Sequence, residues 1–104
     1  IRIINSYKYL CEEKHEYILS KQLLRSGTSI GANVKEAIRG QSKDDFIHKL
    51  NISLKEASES EYWIELLFET DYITKQQFDS LIGDCRELIK LLTSIIKTSR
   101  KEGK

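Results

Sequence analysis

Proline is absent from the 104 residues, and only five glycines interrupt them. A chain without proline carries no obligatory helix breaker, so long uninterrupted helices are open to it. Cysteine is nearly as scarce. Cys11 and Cys85 stand far apart on apolar helix faces without metal-type spacing, and they read as two buried thiols, not as a disulfide. His15 and His48 are the only histidines. A di-iron centre in a helical bundle needs two Glu-x-x-His motifs and two further inward carboxylates. Only Asp45 and His48 have that offset, so neither a metal nor another cofactor is expected. No stretch approaches the roughly 20 apolar residues that span a bilayer, and no charged-then-apolar leader opens the chain. A cytoplasmic protein without a membrane partner is expected. The chain opens on Ile1, not on Met, so a preceding segment and a longer first helix are expected as well.

What is present describes one globular, soluble domain over residues 1–104. Apolar residues make up 39% and charged residues 32%, a balance that supports a packed core and excludes intrinsic disorder. Punctuation divides the chain into helices at about 1–13, 20–39, 42–71 and 74–101. In the first, Ile4, Tyr7 and Cys11 share a side. Ser20 is placed to cap the second, with Leu19 and Leu24 as a hydrophobic staple and Gly40 as a left-handed stop. Ser42 caps the third, with Asp44 and Asp45 in the first turn, where the helix dipole favours negative charge. Thr74 and Gln77 form a capping box for the fourth, stapled by Ile73 and Phe78. In that helix Phe78, Leu81, Cys85, Leu88, Leu92 and Ile95 repeat in heptads. Short connections make consecutive helices antiparallel neighbours. The predicted fold is therefore all-α, an antiparallel up-down-up-down four-helix bundle.

The third helix has two apolar seams. Phe46, Leu50, Leu54, Ala57, Ile64 and Phe68 keep the spacing of a bundle core. Ile52, Trp63 and Leu66, with Glu56 and Glu59 between them, keep the same spacing on nearly the opposite side. Another copy of the chain covering that second seam is its simplest explanation. Glu61, on the core line, reads as a buried carboxylate paired with Ser, Thr or Arg, not as a metal ligand. The net charge of +1 hides an uneven distribution: residues 1–41 and 74–104 each carry about +3, and residues 42–73 about −5. Glu56 and Glu59 can meet cations of their own bundle or of a neighbouring copy, and charge alone leaves both open.

The second helix has three faces. Leu23, Gly27, Ile30, Val34 and Ala37 form its core side, where Gly27 and Gly31 allow a neighbouring helix to approach closely at about 1 kcal/mol of helix propensity each. Gly27-Thr-Ser-Ile-Gly31 lacks both the Walker pattern and a preceding strand, so it does not read as a phosphate loop. Ser26, Ser29, Asn33 and Glu36 form a polar ladder that fixes the register of an adjacent helix, within the subunit or between subunits. No base or oxyanion-stabilising pair accompanies these serines, so no catalytic residues are assigned and no enzyme is expected. Lys21, Arg25, Lys35 and Arg39 form a basic outer stripe with the reach to track nucleic-acid phosphates.

Several blocks at fixed separations carry a resemblance. They are Gln22-Leu-Leu-Arg-Ser-Gly-Thr-Ser-Ile-Gly-Ala-Asn33, Glu36-Ala37, Phe46-Ile-His-Lys-Leu50, Lys55-Glu-Ala-Ser-Glu59, Tyr62-Trp63 and Leu91-Leu-Thr-Ser-Ile-Ile-Lys97. Over Ile1 to Thr98 the chain resembles the small bacterial four-helix bundle family first noticed in intervening sequences of 23S ribosomal RNA genes. The resemblance implies a ring-forming bundle, typically a pentamer. It also implies a fold shared with the accessory variability determinant of diversity-generating retroelements, which binds nucleic acid and a reverse transcriptase through a basic surface. Arg25, Ser26, Ser29, Asn33 and Glu36 match the family's second-helix motif, and Glu56, Glu59, Tyr62 and Trp63 its third-helix motif. The expected function is a non-enzymatic homo-oligomer that binds RNA, DNA or a nucleic-acid enzyme through the second-helix cations and the Lys97, Arg100, Lys101 and Lys104 tail. The alternative is an oligomeric adaptor for a protein partner, without nucleic-acid affinity.

Overall fold

The computed structural model describes residues 1–102, folded as α1 (Arg2–Glu12), α2 (Leu19–Ile38), α3 (Lys43–Glu69) and α4 (Lys75–Glu102), with no strand among them. The molecule is a rod of about 50 × 21 × 17 Å. Helix starts and stops follow local chemistry. Ser42 is extended (φ −141°, ψ 163°), and its hydroxyl accepts the Asp45 N–H at 3.1 Å. At the start of α4 the Thr74 N–H donates to Gln77 Oε1 at 2.8 Å and the Gln77 N–H to Thr74 Oγ1 at 3.1 Å, the reciprocal pair of a capping box. The end of α3 is a Schellman turn, in which Tyr72 N–H bonds Leu67 O, Asp71 N–H bonds Phe68 O, and Asp71 takes the left-handed position (φ 66°).

Both ends of α2 differ from expectation. Helix α2 begins one residue before Ser20, and Ser20 is buried, donating its hydroxyl to Glu16 O at 2.7 Å. The cap is the Glu16 carboxylate, which accepts the N–H groups of Ile18 (3.0 Å), Leu19 (2.8 Å) and Ser20 (2.6 Å). With the start moved, Leu19 and Leu24 no longer occupy staple positions. At the other end Arg39 stops the helix in right-handed geometry, and no glycine among the described residues has positive φ. Gly40 answers to space instead: a Cβ there would lie 3.2 Å from Ala37 O and 3.3 Å from Asp45 Cβ.

Contacts between helices fix the register. Against α3, α2 sets Ser26 beside Ser60, Ile30 beside Ser53 and Glu36 beside Lys49. Helix α4 returns along α3, with the Cys85 thiol on Ala57 O (3.2 Å) and Arg86 on Glu61 (2.9 Å). The core divides along the rod into two clusters. One gathers Leu10, Leu23, Ile64, Leu67, Ile73, Leu81, Ile82 and Cys85, the other Ile30, Ala37, Leu50, Ala57, Leu92 and Ile96. Helix α1 packs only at the first end. Its Ile3 side chain sits over Gly27, and Arg2 reaches Asp84 and, at 2.6 Å, Ser80. Gly31, one turn on, has nothing within 4 Å of its Cβ position, so the close approach expected at both glycines occurs at Gly27 alone.

Candidate functional site

The polar ladder of α2 and the second seam of α3 meet along one outer face. Ser26 and Ser60 are both buried and share a hydroxyl–hydroxyl bond of 2.7 Å, while Ser53 donates to Ile30 O at 3.0 Å. Further out, Asn33 Nδ2 donates to Ser29 O at 2.9 Å, and Lys49 pairs with Glu36 at 3.0 Å. Arg25 bonds Glu56 (3.2 Å) and Glu59, and the Trp63 indole N–H also donates to Glu59, at 3.2 Å. The ladder's cross-helix bonds therefore lie within one chain, and so does the pairing of Glu56 and Glu59.

Trp63 is half-buried, with its ring packed against the first core cluster and Tyr62 tilted against it at 5.0 Å between centroids. This seam was expected to face away from the core. The indole is shared instead, one side on the chain's own core and the other on the outer face with half-buried Ile52 and Leu66 and exposed Tyr62. Glu61 is paired with Arg86 as expected, but it is part-exposed, not buried.

The basic stripe of α2 is split by the fold. Arg25 is held by two carboxylates of α3, whereas Lys21, Lys35 and Arg39 are exposed and form no ion pair among the described residues. Lys21 and Arg25 lie at the α1 end of the rod, and Lys35 and Arg39 at the opposite end. Lys97, Arg100 and Lys101 are exposed on the last turns of α4, and Lys104 falls outside the described residues.

An apolar groove of about 420 Å³ runs between α2 and α4 beyond the start of α1, floored by Ile30, Val34, Ile64 and Leu88, with Ser60 and Cys85 beneath. Among the described residues three groups have displaced pKa values, and each moves away from neutrality. Burial pushes the Cys85 thiol up to about 11, helped by the Glu61 charge and opposed by Arg86. The Tyr7 hydroxyl is raised by its hydrogen bond to Cys11. Burial alone would raise Glu16, but the capped N–H groups outweigh it and hold the carboxyl low. General acid–base chemistry wants the reverse, groups brought towards the working pH. Among the described residues no three His, Cys, Asp or Glu side chains are arranged to hold a metal ion, and no helix is long and apolar enough to cross a membrane. Both cysteines are free.

Glu16, Ser53, Ser60 and Leu67 escaped sequence reasoning. Glu16 left a signal, an acid shortly before a helix start, and so did Ser53, Ser60 and Leu67, which keep the three- and four-residue spacing of Leu50, Ala57 and Ile64.

The fold defines an all-α four-helix protein in which buried serines and cross-helix ion pairs fix the register of α2 on α3. The chain belongs to the 23S rRNA-intervening sequence protein family, whose model matches residues 1–94. It is similar to a crystal structure of a protein of unknown function from the S23 ribosomal protein family of Bacteroides thetaiotaomicron VPI-5482. The two share 60% identity over 92% of this chain and 86% of that one, with a TM-score of 0.91. No functionally curated protein matches the chain.

Proposed function

We propose that the protein is a non-enzymatic, cytoplasmic bundle that assembles into a ring of identical copies, a pentamer by family resemblance, and that the assembly binds RNA or DNA. The observation that carries the assembly is the α2–α3 outer face. Trp63 is fixed there by Glu59, Glu59 by Arg25, and Ile52, Leu66 and Tyr62 extend the apolar strip. A rigid aromatic anchor ringed by satisfied polar groups is how a protein interface is built. Support for nucleic acid comes from the exposed cations of α2 and α4 that no carboxylate of the described chain engages.

Sedimentation analysis tests the assembly. The wild type sediments as one closed oligomer, and Ile52→Glu lowers its mass while helical content by circular dichroism stays unchanged. A wild-type monomer at micromolar concentration refutes the ring. Binding of labelled RNA and DNA across a salt series tests the partner. Counterion release demands an affinity that falls steeply with salt. No binding at low salt leaves the adaptor for a protein partner as the correct reading.

A further inference from the structure

Folding turns a nearly neutral sequence into a charge-separated rod. The end built from residues 30–55 and 88–101 holds nine Lys and Arg against three Asp and Glu; the end built from residues 1–29 and 56–87 holds seven against twelve. Within the first end the segments 46–55 of α3 and 88–101 of α4 contain no acidic residue at all. These two segments face each other across a groove of about 250 Å³ lined by Asn51, Leu54, Thr93, Ile96, Lys97 and Arg100.

We infer that this α3–α4 groove is a docking site for the phosphodiester backbone of a double-helical nucleic acid. The inference rests on the nucleic-acid reading above and narrows the contact from the cations of α2 and α4 together to the single face between α3 and α4. Three features of the groove support it. Its cations, Lys97 and Arg100, are exposed and unpaired among the described residues, whereas Arg25 of the α2 stripe is neutralised by Glu56 and Glu59. Asn51 uses one amide hydrogen on Ile47 O at 3.1 Å, which leaves its second to donate to a phosphate oxygen beside them. Lys90 and Lys101, exposed on the same helix, extend the positive track along α4, and Lys55 does so from α3.

Double-helical nucleic acid fits better than a single strand. Single-strand binders stack bases on exposed aromatic rings. Phe46 is the only aromatic residue at this end, and it is turned into the second core cluster; every Tyr and the Trp lie at the acidic end. A site of cations and one amide reads phosphate positions and carries no base code.

The test measures anisotropy of a short labelled RNA duplex, its DNA counterpart and an unpaired strand of equal length, from low to physiological salt, with four forms of the full chain. The site predicts that Lys97→Ala, Arg100→Ala lowers the slope of log affinity against log salt by about two for each subunit that touches the duplex. Lys21→Ala, at the acidic end, changes affinity less than twofold. Lys35→Ala, Arg39→Ala, at the basic end with the groove but on α2, loses less than the groove variant. The duplexes bind at least as tightly as the unpaired strand. Absence of wild-type binding at low salt removes the nucleic-acid reading itself. Wild-type binding that survives intact in the Lys97, Arg100 variant, that is lost more fully in the Lys35, Arg39 variant, or that favours the unpaired strand keeps the nucleic acid and overturns this site. All the substituted side chains are exposed, so circular dichroism should report an unchanged fold.

Discussion

Gly27 and Gly31 lie one helical turn apart on α2, and the same substitution should have opposite effects at the two positions. Alanine in a helix interior is favoured over glycine by about 1 kcal/mol. At Gly31 a new methyl group meets nothing within 4 Å, so Gly31→Ala keeps that gain whole. A domain of this size should then melt about 4–8 °C higher. At Gly27 the same methyl group lies 2.9 Å from Ile3 Cγ2 and 3.0 Å from Ile3 Cγ1. Those carbons branch directly from Cβ and cannot swing clear as a chain terminus would, so α1 has to shift. Overpacking of this kind costs about 1–3 kcal/mol, which turns the gain into a net loss of up to about 2 kcal/mol. Urea denaturation of both variants, followed by circular dichroism, measures the difference. Adding Ile3→Ala to Gly27→Ala should show non-additive recovery, because the two changes relieve one contact. Equal stabilisation by both single substitutions refutes the packing of α1 against Gly27.

The Glu16 cap has a pH signature. Its carboxyl titrates below the ordinary glutamate value when folded, so its contribution is whole above that value and is lost as pH falls through the depressed one. Glu16→Gln should cost about 1–2 kcal/mol near neutral pH and flatten the acid limb of the stability profile, and an unchanged acid limb refutes the capping role. Ser60→Ala strands the buried Ser26 hydroxyl and should cost about 1–2 kcal/mol, whereas the Ser26→Ala, Ser60→Ala pair should cost less than the summed single changes in a double-mutant cycle. At the left-handed position closing α3, Asp71→Val should destabilise by about 1–2 kcal/mol, and thermal melts showing no loss refute the Schellman turn.

The periodicity of the apolar residues was enough to place four helices, because each reports which side of its own axis is buried. It put Leu50, Ala57, Ile64, Leu81, Leu92 and Cys85 in the core correctly. Capping was legible where donor and acceptor are close in sequence, as at Ser42–Asp45 and Thr74–Gln77. It failed at α2, where an ideal capping residue, Ser20, is displaced by a carboxylate four positions earlier that holds three N–H groups at once. What periodicity cannot carry is the identity of the neighbour across a groove. Arg25 looked like one of four equal cations until α3 brought Glu56 and Glu59 to it, and Gly31 looked like Gly27 until α1 stopped short of it. Ser53 and Ser60 keep the three- and four-residue spacing of Leu50, Ala57 and Ile64, and they are buried on that core line with α2 lying over them.

The opposed charges at the two ends of the rod act before any contact is made. A polyanion's field attracts one end and repels the other, so the field exerts a torque that turns the molecule during its approach and raises the fraction of collisions that arrive basic end first. Added salt shortens the distance over which that turning begins.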